Sequence, residues 1–157
     1  MIPTQHLFRE IQFGSEDYEQ ECRLRNELLR KPLGLSLWDE DLSVESEQLH
    51  FGAFGDEGTL QACGVVHILS ETKVQIRQVA VQTKLQGCGM GTQLMKVIED
   101  DLRGRGFTQV ILHARCTVCD FYQKLNYEVD GDFFEEIGLA HFRMGKSLLP
   151  EREQTEI

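Results

Sequence analysis

Gln86-Gly87-Cys88-Gly89-Met90-Gly91 joins a strand-like run, Val74 to Val81, to a helix-like run, Thr92 to Arg103. A strand, a glycine-rich turn and a helix in that order hold pyrophosphate. Glycine lets the backbone approach an anion and takes positive φ, while the first-turn N–H groups of the helix lack intrahelical acceptors and lie at the positive end of its dipole. Alternating glycines at 87, 89 and 91 would be a poor way to begin a helix for stability alone.

The spacing narrows the choice of phosphate ligand. A dinucleotide fingerprint needs G-x-G-x-x-G and a P-loop needs G-x-x-x-x-G-K-[ST], whereas Gly87, Gly89 and Gly91 alternate and no Lys-Ser or Lys-Thr follows. Neither spacing is met, which weakens both nucleotide-fold readings.

Three segments together resemble a known family. Gln86, Gly89 and Gly91 meet the acetyl-CoA signature Q/R-x-x-G-x-G/A of the GNAT N-acetyltransferases. Asp120-Phe121-Tyr122-Gln123-Lys124-Leu125-Asn126-Tyr127 resembles that family's FY-x-K-x-G-F segment, with Asn126 in place of the usual glycine. Asn is the commonest non-glycine residue in left-handed backbone, so the exchange keeps what the position needs. Glu135-Glu136-Ile137-Gly138-Leu139-Ala140-His141-Phe142-Arg143-Met144 resembles the E-x-G-I-x-H-x-x-M ending of the ElaA-like subgroup. The likeness is strong from about Val74 to Met144 and general before that.

The resemblance implies an α+β fold, a mixed, mostly antiparallel sheet flanked by helices, in which two parallel strands splay apart to admit acetyl-CoA. Those strands would be Val74 to Val81 and Thr108 to Ala114. Unpaired backbone on a splayed strand is costly unless a ligand satisfies it, so the backbone of Val79, Ala80 and Val81 is expected on the pantetheine arm. Gln86, Gly87, Cys88, Gly89, Met90, Gly91 and Thr92 are expected on the pyrophosphate. Tyr122 matches the family's tyrosine near the thioester sulfur and is the expected general acid, also touching the cofactor. Some relatives carry a basic glutamate on the cofactor strand, but the matching position is Gln75, and an amide cannot take up a proton. His113 and His141 remain, and the subgroup ending favours His141. The expected activity is acetyl transfer from acetyl-CoA to a primary amine of a small molecule or peptide, by direct attack and without a metal. The acceptor pocket is expected from the Leu33 to Gln48 and Gly131 to Ala140 loops. Two other classes stay open: a degenerate acyl-CoA-binding sensor or interaction module, and a thiol redox protein.

The thiol reading rests on Cys116-Thr117-Val118-Cys119, placed after a strand where a helix would open, a context that acidifies a thiol. A zinc site would want a second ligand pair, and none follows at a suitable spacing. Five cysteines without a secretory signal point to reduced thiols.

The chain of 157 residues is expected to form one domain over residues 1–149, with a polar tail at 150–157. Its formal charge of -10 argues against a nucleic-acid surface. No window holds the ~18 apolar residues of a membrane span, and the start lacks a signal-peptide pattern, so a cytoplasmic protein is expected. A homodimer is one option for its assembly. Strands are expected at Leu7 to Phe13, Leu49 to Phe54, Leu60 to Leu69, Tyr127 to Val129 and His141 to Lys146, with helices from about Tyr18 to Lys31 and from Thr117 to Leu125.

Overall fold

The computed structural model describes residues 7–150, so the expected tail lies outside the described residues apart from Pro150. The elements are β1 (Leu7–Ile11), α1 (Glu16–Arg25), β2 (Leu49–Phe54), β3 (Leu60–Ile68), β4 (Lys73–Val81), α2 (Met90–Gly104), β5 (Gln109–Arg115), α3 (Cys119–Lys124), β6 (Glu128–Val129), β7 (Phe134–Glu136) and β8 (Leu139–Ser147). The strand order is β1-β2-β3-β4-β5-β8-β6, with β7 on β8. β4 and β5 run parallel; the pairs β1–β2, β2–β3, β5–β8, β6–β8 and β7–β8 are antiparallel. This is the mixed, mostly antiparallel sheet that the resemblance implies.

Contacts divide the chain into two compact units, one running to His67 and including Gln78–Ile98, the other comprising Ile68–Arg77 and the residues from Glu99 onward. In the first, Ser15 caps α1 by accepting the Tyr18 N–H at 3.2 Å, with Glu16, Asp17 and Glu19 in the first turn, where the dipole favours them. The helix continues as a π turn over Asn26–Arg30 and a 3-10 turn over Lys31–Leu33, and Gly34 ends it at φ 74°. Its buried side chains are Tyr18, Glu21, Cys22 and Arg25. Leu24, Leu28 and Leu29 are only partly buried against a core that includes Ile11, Leu37, Phe54, Leu60, Cys63 and Ala80. The 35–48 stretch holds two 3-10 turns, Leu37–Asp39 and Ser43–Glu47.

In the second unit Val110, Leu112 and Ala114 of β5 alternate inward, with Tyr122, Tyr127 and Met144 also buried. Asn126 is left-handed at φ 74°. The 131–140 loop contains a strand that its sequence does not announce. β7 and β8 form a two-residue hairpin whose corner residues, Ile137 and Gly138, have φ of 55° and 72°. Tight hairpins of this kind usually advertise themselves as Asn-Gly or Asp-Gly. Here a β-branched residue occupies the left-handed corner.

Candidate active site

β4 and β5 are paired over three residues, Lys73 with Gln109, Val74 with Val110 and Gln75 with Ile111, although β4 continues to Val81 and β5 to Arg115. A parallel ladder that stops early leaves strand backbone in need of other partners. The far end of β4 is held within the first unit, where the Gln82 N–H donates to Gln61 O at 2.9 Å and Gln82 Nε2 donates to Leu60 O at 2.6 Å.

Gln86, Gly87, Cys88 and Gly89 form an exposed turn after β4, with Gly87 and Gly89 at φ 83° and 89°. α2 begins at Met90, two residues before the expected start, so Gly91 lies in the first helical turn rather than in the loop. The first helical bond runs from Gln93 N–H to Gly89 O at 3.0 Å, which leaves the amides of Met90, Gly91 and Thr92 without intrahelical acceptors. A Cβ built on Gly87 or Gly89 would meet nothing within 4 Å. Their need for glycine is therefore conformational. The Gln86 side chain donates back to the Val81 carbonyl at 3.0 Å and ties the turn to the end of β4. From Thr72 to Ile98 the sequence holds no Asp or Glu and carries Lys73, Arg77, Lys84 and Lys96, so this segment of an acidic chain suits a polyanion. Backbone donors, left-handed glycines and a net basic sequence fit a CoA pyrophosphate.

The second unit holds the expected acid and both histidines. Tyr122 is buried on α3, with its ring edge-on to Phe121 and Tyr127 at 4.9 and 5.9 Å. Its hydroxyl has no hydrogen-bond partner among the described residues, and burial pushes its pKa well above that of a free tyrosine. Tyr127 donates to Glu99 Oε2 at 2.7 Å, and Lys146 donates to the other oxygen at 2.8 Å. That tyrosine is already engaged.

Glu136, from the unannounced strand, brings the histidines together. Its Oε1 lies 3.0 Å from His113 Nδ1, and its Oε2 lies 3.9 Å from His141 Nε2. Phe134 meets the His113 ring edge-on at 5.0 Å and stacks on His141 at 5.9 Å. His141 is buried, with Nδ1 on the Leu139 carbonyl at 2.9 Å. The His113 side chain is 29% exposed, and its Nε2 has no partner among the described residues.

A second histidine–carboxylate cluster, absent from the sequence reading, lies buried in the first unit. Arg25 donates to Glu21 Oε2 at 2.7 Å and to both Glu45 oxygens at 2.8 and 2.6 Å, and its Nε donates to Gln78 Oε1 at 2.7 Å. Tyr18 donates to Glu45 at 2.6 Å. His50 places Nδ1 2.9 Å from Glu21 Oε2 and Nε2 2.9 Å from Glu45 O. Both partners are acceptors only, so both ring nitrogens must donate and the imidazolium form fits. Burial opposes charge on His50, but the bond to Glu21 and the two carboxylates outweigh it, and its pKa is raised. Burial likewise opposes ionisation of Glu45, whereas the Arg25 bond lowers its pKa. Two carboxylates, Arg25 and a protonated His50 sum to neutrality. Glu21, Glu45 and His50 are spaced to hold a metal ion, with ligand atoms within 4.8 Å of one another, but the guanidinium bonds both carboxylates.

Cys119 is buried and Cys116 exposed. Burial, then the neighbouring Cys116 and Asp120, push the Cys119 thiol up, opposite to the acidified thiol that a redox role requires. A cavity of about 220 Å³ is lined by Tyr18, Glu19, Cys22 and Arg23 of α1 and by Trp38 and Leu42. No helix among the described residues is long and apolar enough to cross a membrane.

Comparison with known proteins follows the same lines. The chain is 30% identical over 91 residues to an uncharacterized acetyltransferase of Streptococcus pyogenes, spanning 57% of this chain and 62% of that relative. In structure it is similar to Escherichia coli ElaA, with a TM-score of 0.74, 18% identity and coverage of 90% and 99% of the two chains. An aminoglycoside 6'-N-acetyltransferase complexed with coenzyme A gives a TM-score of 0.76 at 15% identity, covering 92% and 98%. The model of the acetyltransferase (GNAT) domain matches residues 19–148, and the chain belongs to the GNAT acetyltransferase family.

Proposed function

We propose that this chain transfers an acetyl group from acetyl-CoA to a primary amine of a small molecule or peptide, by direct attack in a ternary complex. One observation carries the reading: a left-handed glycine turn delivers three amides without intrahelical acceptors at the start of α2, directly after a strand whose parallel ladder stops early. In the proposal Gln86 to Thr92 hold the pyrophosphate through backbone, and Val79, Ala80 and Val81 hold the pantetheine arm. Gln86 contributes by fixing the turn on Val81.

The amine must be neutral to attack, and the departing thiolate needs a proton. Tyr122 supplies the proton: burial keeps its hydroxyl protonated at neutral pH, and no acceptor among the described residues competes for it. The base belongs to the Glu136 set. Glu136 accepts from His113 Nδ1, which fixes the tautomer with a lone pair on the accessible Nε2. His141 has its Nδ1 on a carbonyl as well, but its Nε2 is buried facing Glu136. His113 therefore takes the proton, and His141 supports Glu136. Trp38 and Leu42 offer an apolar wall for the acceptor beside the Glu19 carboxylate.

The test is binding first and transfer second. Acetyl-CoA should bind wild type in calorimetry and bind Gly89→Val on the order of a hundredfold more weakly, because a β-branched residue resists φ near 89°. A screen of amines should then release CoA. Equal binding by Gly89→Val would sink the glycine-turn reading, and binding without release for any amine would leave an acyl-CoA-binding module.

A further inference from the structure

Gln78 has φ of 53° in the middle of β4, a conformation that resists non-glycine residues, and it is neither Gly, Asn nor Asp. Something must hold it there. Its backbone is unaided by a turn, because β4 runs through it from Lys73 to Val81. Its side chain is held: the fully buried Arg25 donates its Nε to Gln78 Oε1 at 2.7 Å. The other face of that guanidinium is fixed by Glu21 and by a bidentate pair with Glu45, and Glu45 is fixed in turn by Tyr18. Residue 79, which follows the kink, begins the Val79 to Val81 segment assigned above to the acyl-CoA arm.

We propose that the Glu21–Arg25–Glu45 cluster is a clamp that holds Gln78 in left-handed backbone and thereby aims the Val79–Val81 amides and carbonyls at acyl-CoA. Arg25 and Gln78 are positioning residues; neither need touch the ligand. The inference rests on the acetyl-CoA reading of this segment. It explains why α1 buries an arginine and a glutamate that have no place in the acetyl-transfer chemistry. A cluster needed only for stability would have no reason to spend the arginine's Nε–H on a strand residue in a rare conformation.

The clamp predicts a pattern across variants that general destabilisation does not. Gln78→Leu and Gln78→Gly both remove the Arg25 acceptor, so both leave the same buried donor unpaired. Only leucine resists the left-handed backbone; glycine adopts it freely. Acetyl-CoA affinity by calorimetry should fall about tenfold or more in Gln78→Leu and return to within about threefold of wild type in Gln78→Gly. Arg25→Lys keeps a cation between the carboxylates but cannot present a guanidinium Nε to Gln78. It should weaken acetyl-CoA binding in the Gln78 background and have no further effect when combined with Gln78→Gly. Wild-type affinity in Gln78→Leu, equal losses in Gln78→Leu and Gln78→Gly, or an Arg25→Lys effect of the same size in both backgrounds would overturn the clamp while leaving the acetyl-CoA reading standing. A wild type that does not bind acetyl-CoA would overturn both.

Discussion

His50 and His113 look alike in outline: each turns Nδ1 to a glutamate, at 2.9 and 3.0 Å. Their second nitrogens separate them. His50 is 1% exposed, and its Nε2 faces a backbone carbonyl, so every ring nitrogen is committed to an acceptor and its charge is matched by Glu21 and Glu45. His113 sits at a half-open position with Nε2 unclaimed among the described residues. A histidine–carboxylate pair in a sealed, neutral cluster serves the fold, while the same pair with one nitrogen free can exchange a proton with a substrate. Access and the second partner decide the role. Residue types do not.

That contrast is broken most severely at Arg25. Arg25→Met would leave Glu21 and Glu45 buried without their guanidinium, and one-sided removal from a buried ion pair costs about 3–5 kcal/mol. Urea unfolding should show a loss of that size, or no folded protein at all. Glu136→Gln, at a side chain 43% exposed, should change stability by less than about 0.5 kcal/mol. Equal losses at the two sites would erase the distinction between a sealed and an open cluster.

Next in size is turnover at the open cluster. His113→Gln should slow acetyl transfer on the order of a hundredfold with acetyl-CoA affinity retained, the effect of removing one proton-transfer group. His141→Gln should instead lose about 1–2 kcal/mol of stability, because His141 is buried and its Nδ1 is bonded to the Leu139 carbonyl. The reverse pattern would return the base to His141. A His113→Gln enzyme with wild-type turnover and an unchanged pH profile would remove His113 from the mechanism.

The sealed cluster should also set how stability responds to pH. The folded-state pKa of His50 is raised above its ordinary 6.5, so its contribution is whole below that pH and is lost as pH rises through the folded value. Glu45 has the opposite sign: its lowered pKa contributes above 4.5, and that contribution is lost on acidification. The unfolding free energy should therefore peak between these values and decline on both sides, at most by about 1.4 kcal/mol per pH unit and per group, with the thermal midpoint following it. His50→Gln should flatten the alkaline side alone. An alkaline decline of equal slope in that variant would place its origin elsewhere.

The legible parts of this molecule are those whose physics is local. The glycine turn declares its backbone conformation in the residues themselves, and the β2 boundaries at Leu49 and Phe54 follow from a short apolar run ended by Gly55. Asn126 could be placed in left-handed backbone because its side chain tolerates it. The clamp was not legible: Glu21 and Arg25 stand four apart on α1 and read as a solvated helix pair, and only Glu45 and His50 reveal the burial. Glu136 was hidden for a similar reason. Its strand is three residues long and turns on Ile137-Gly138, so its position opposite the histidines depends on pairing with β8. Charged residues at helical spacing near a histidine were the one available hint, and they do not distinguish a core from a surface.

The smallest effect is expected at Cys116 and Cys119, where sequence spacing suggested chemistry and burial argues for packing. Cys119 is covered, its thiol lies 3.7 Å from the Arg115 carbonyl, and its raised pKa keeps it protonated near neutrality. Cys116 is exposed, but without a thiolate partner it has no disulfide cycle to run. The double Cys116→Ser, Cys119→Ser variant should keep acetyl transfer within about twofold and lose about 1 kcal/mol of stability, from placing a hydroxyl in the Cys119 site. Thiol titration of the folded wild type should find Cys116 reactive and Cys119 silent until denaturant is added. If the folded double variant binds acetyl-CoA normally yet transfers no acetyl group, the thiols belong to the chemistry, and burial is a poorer guide to role in this molecule than the two histidine clusters suggest.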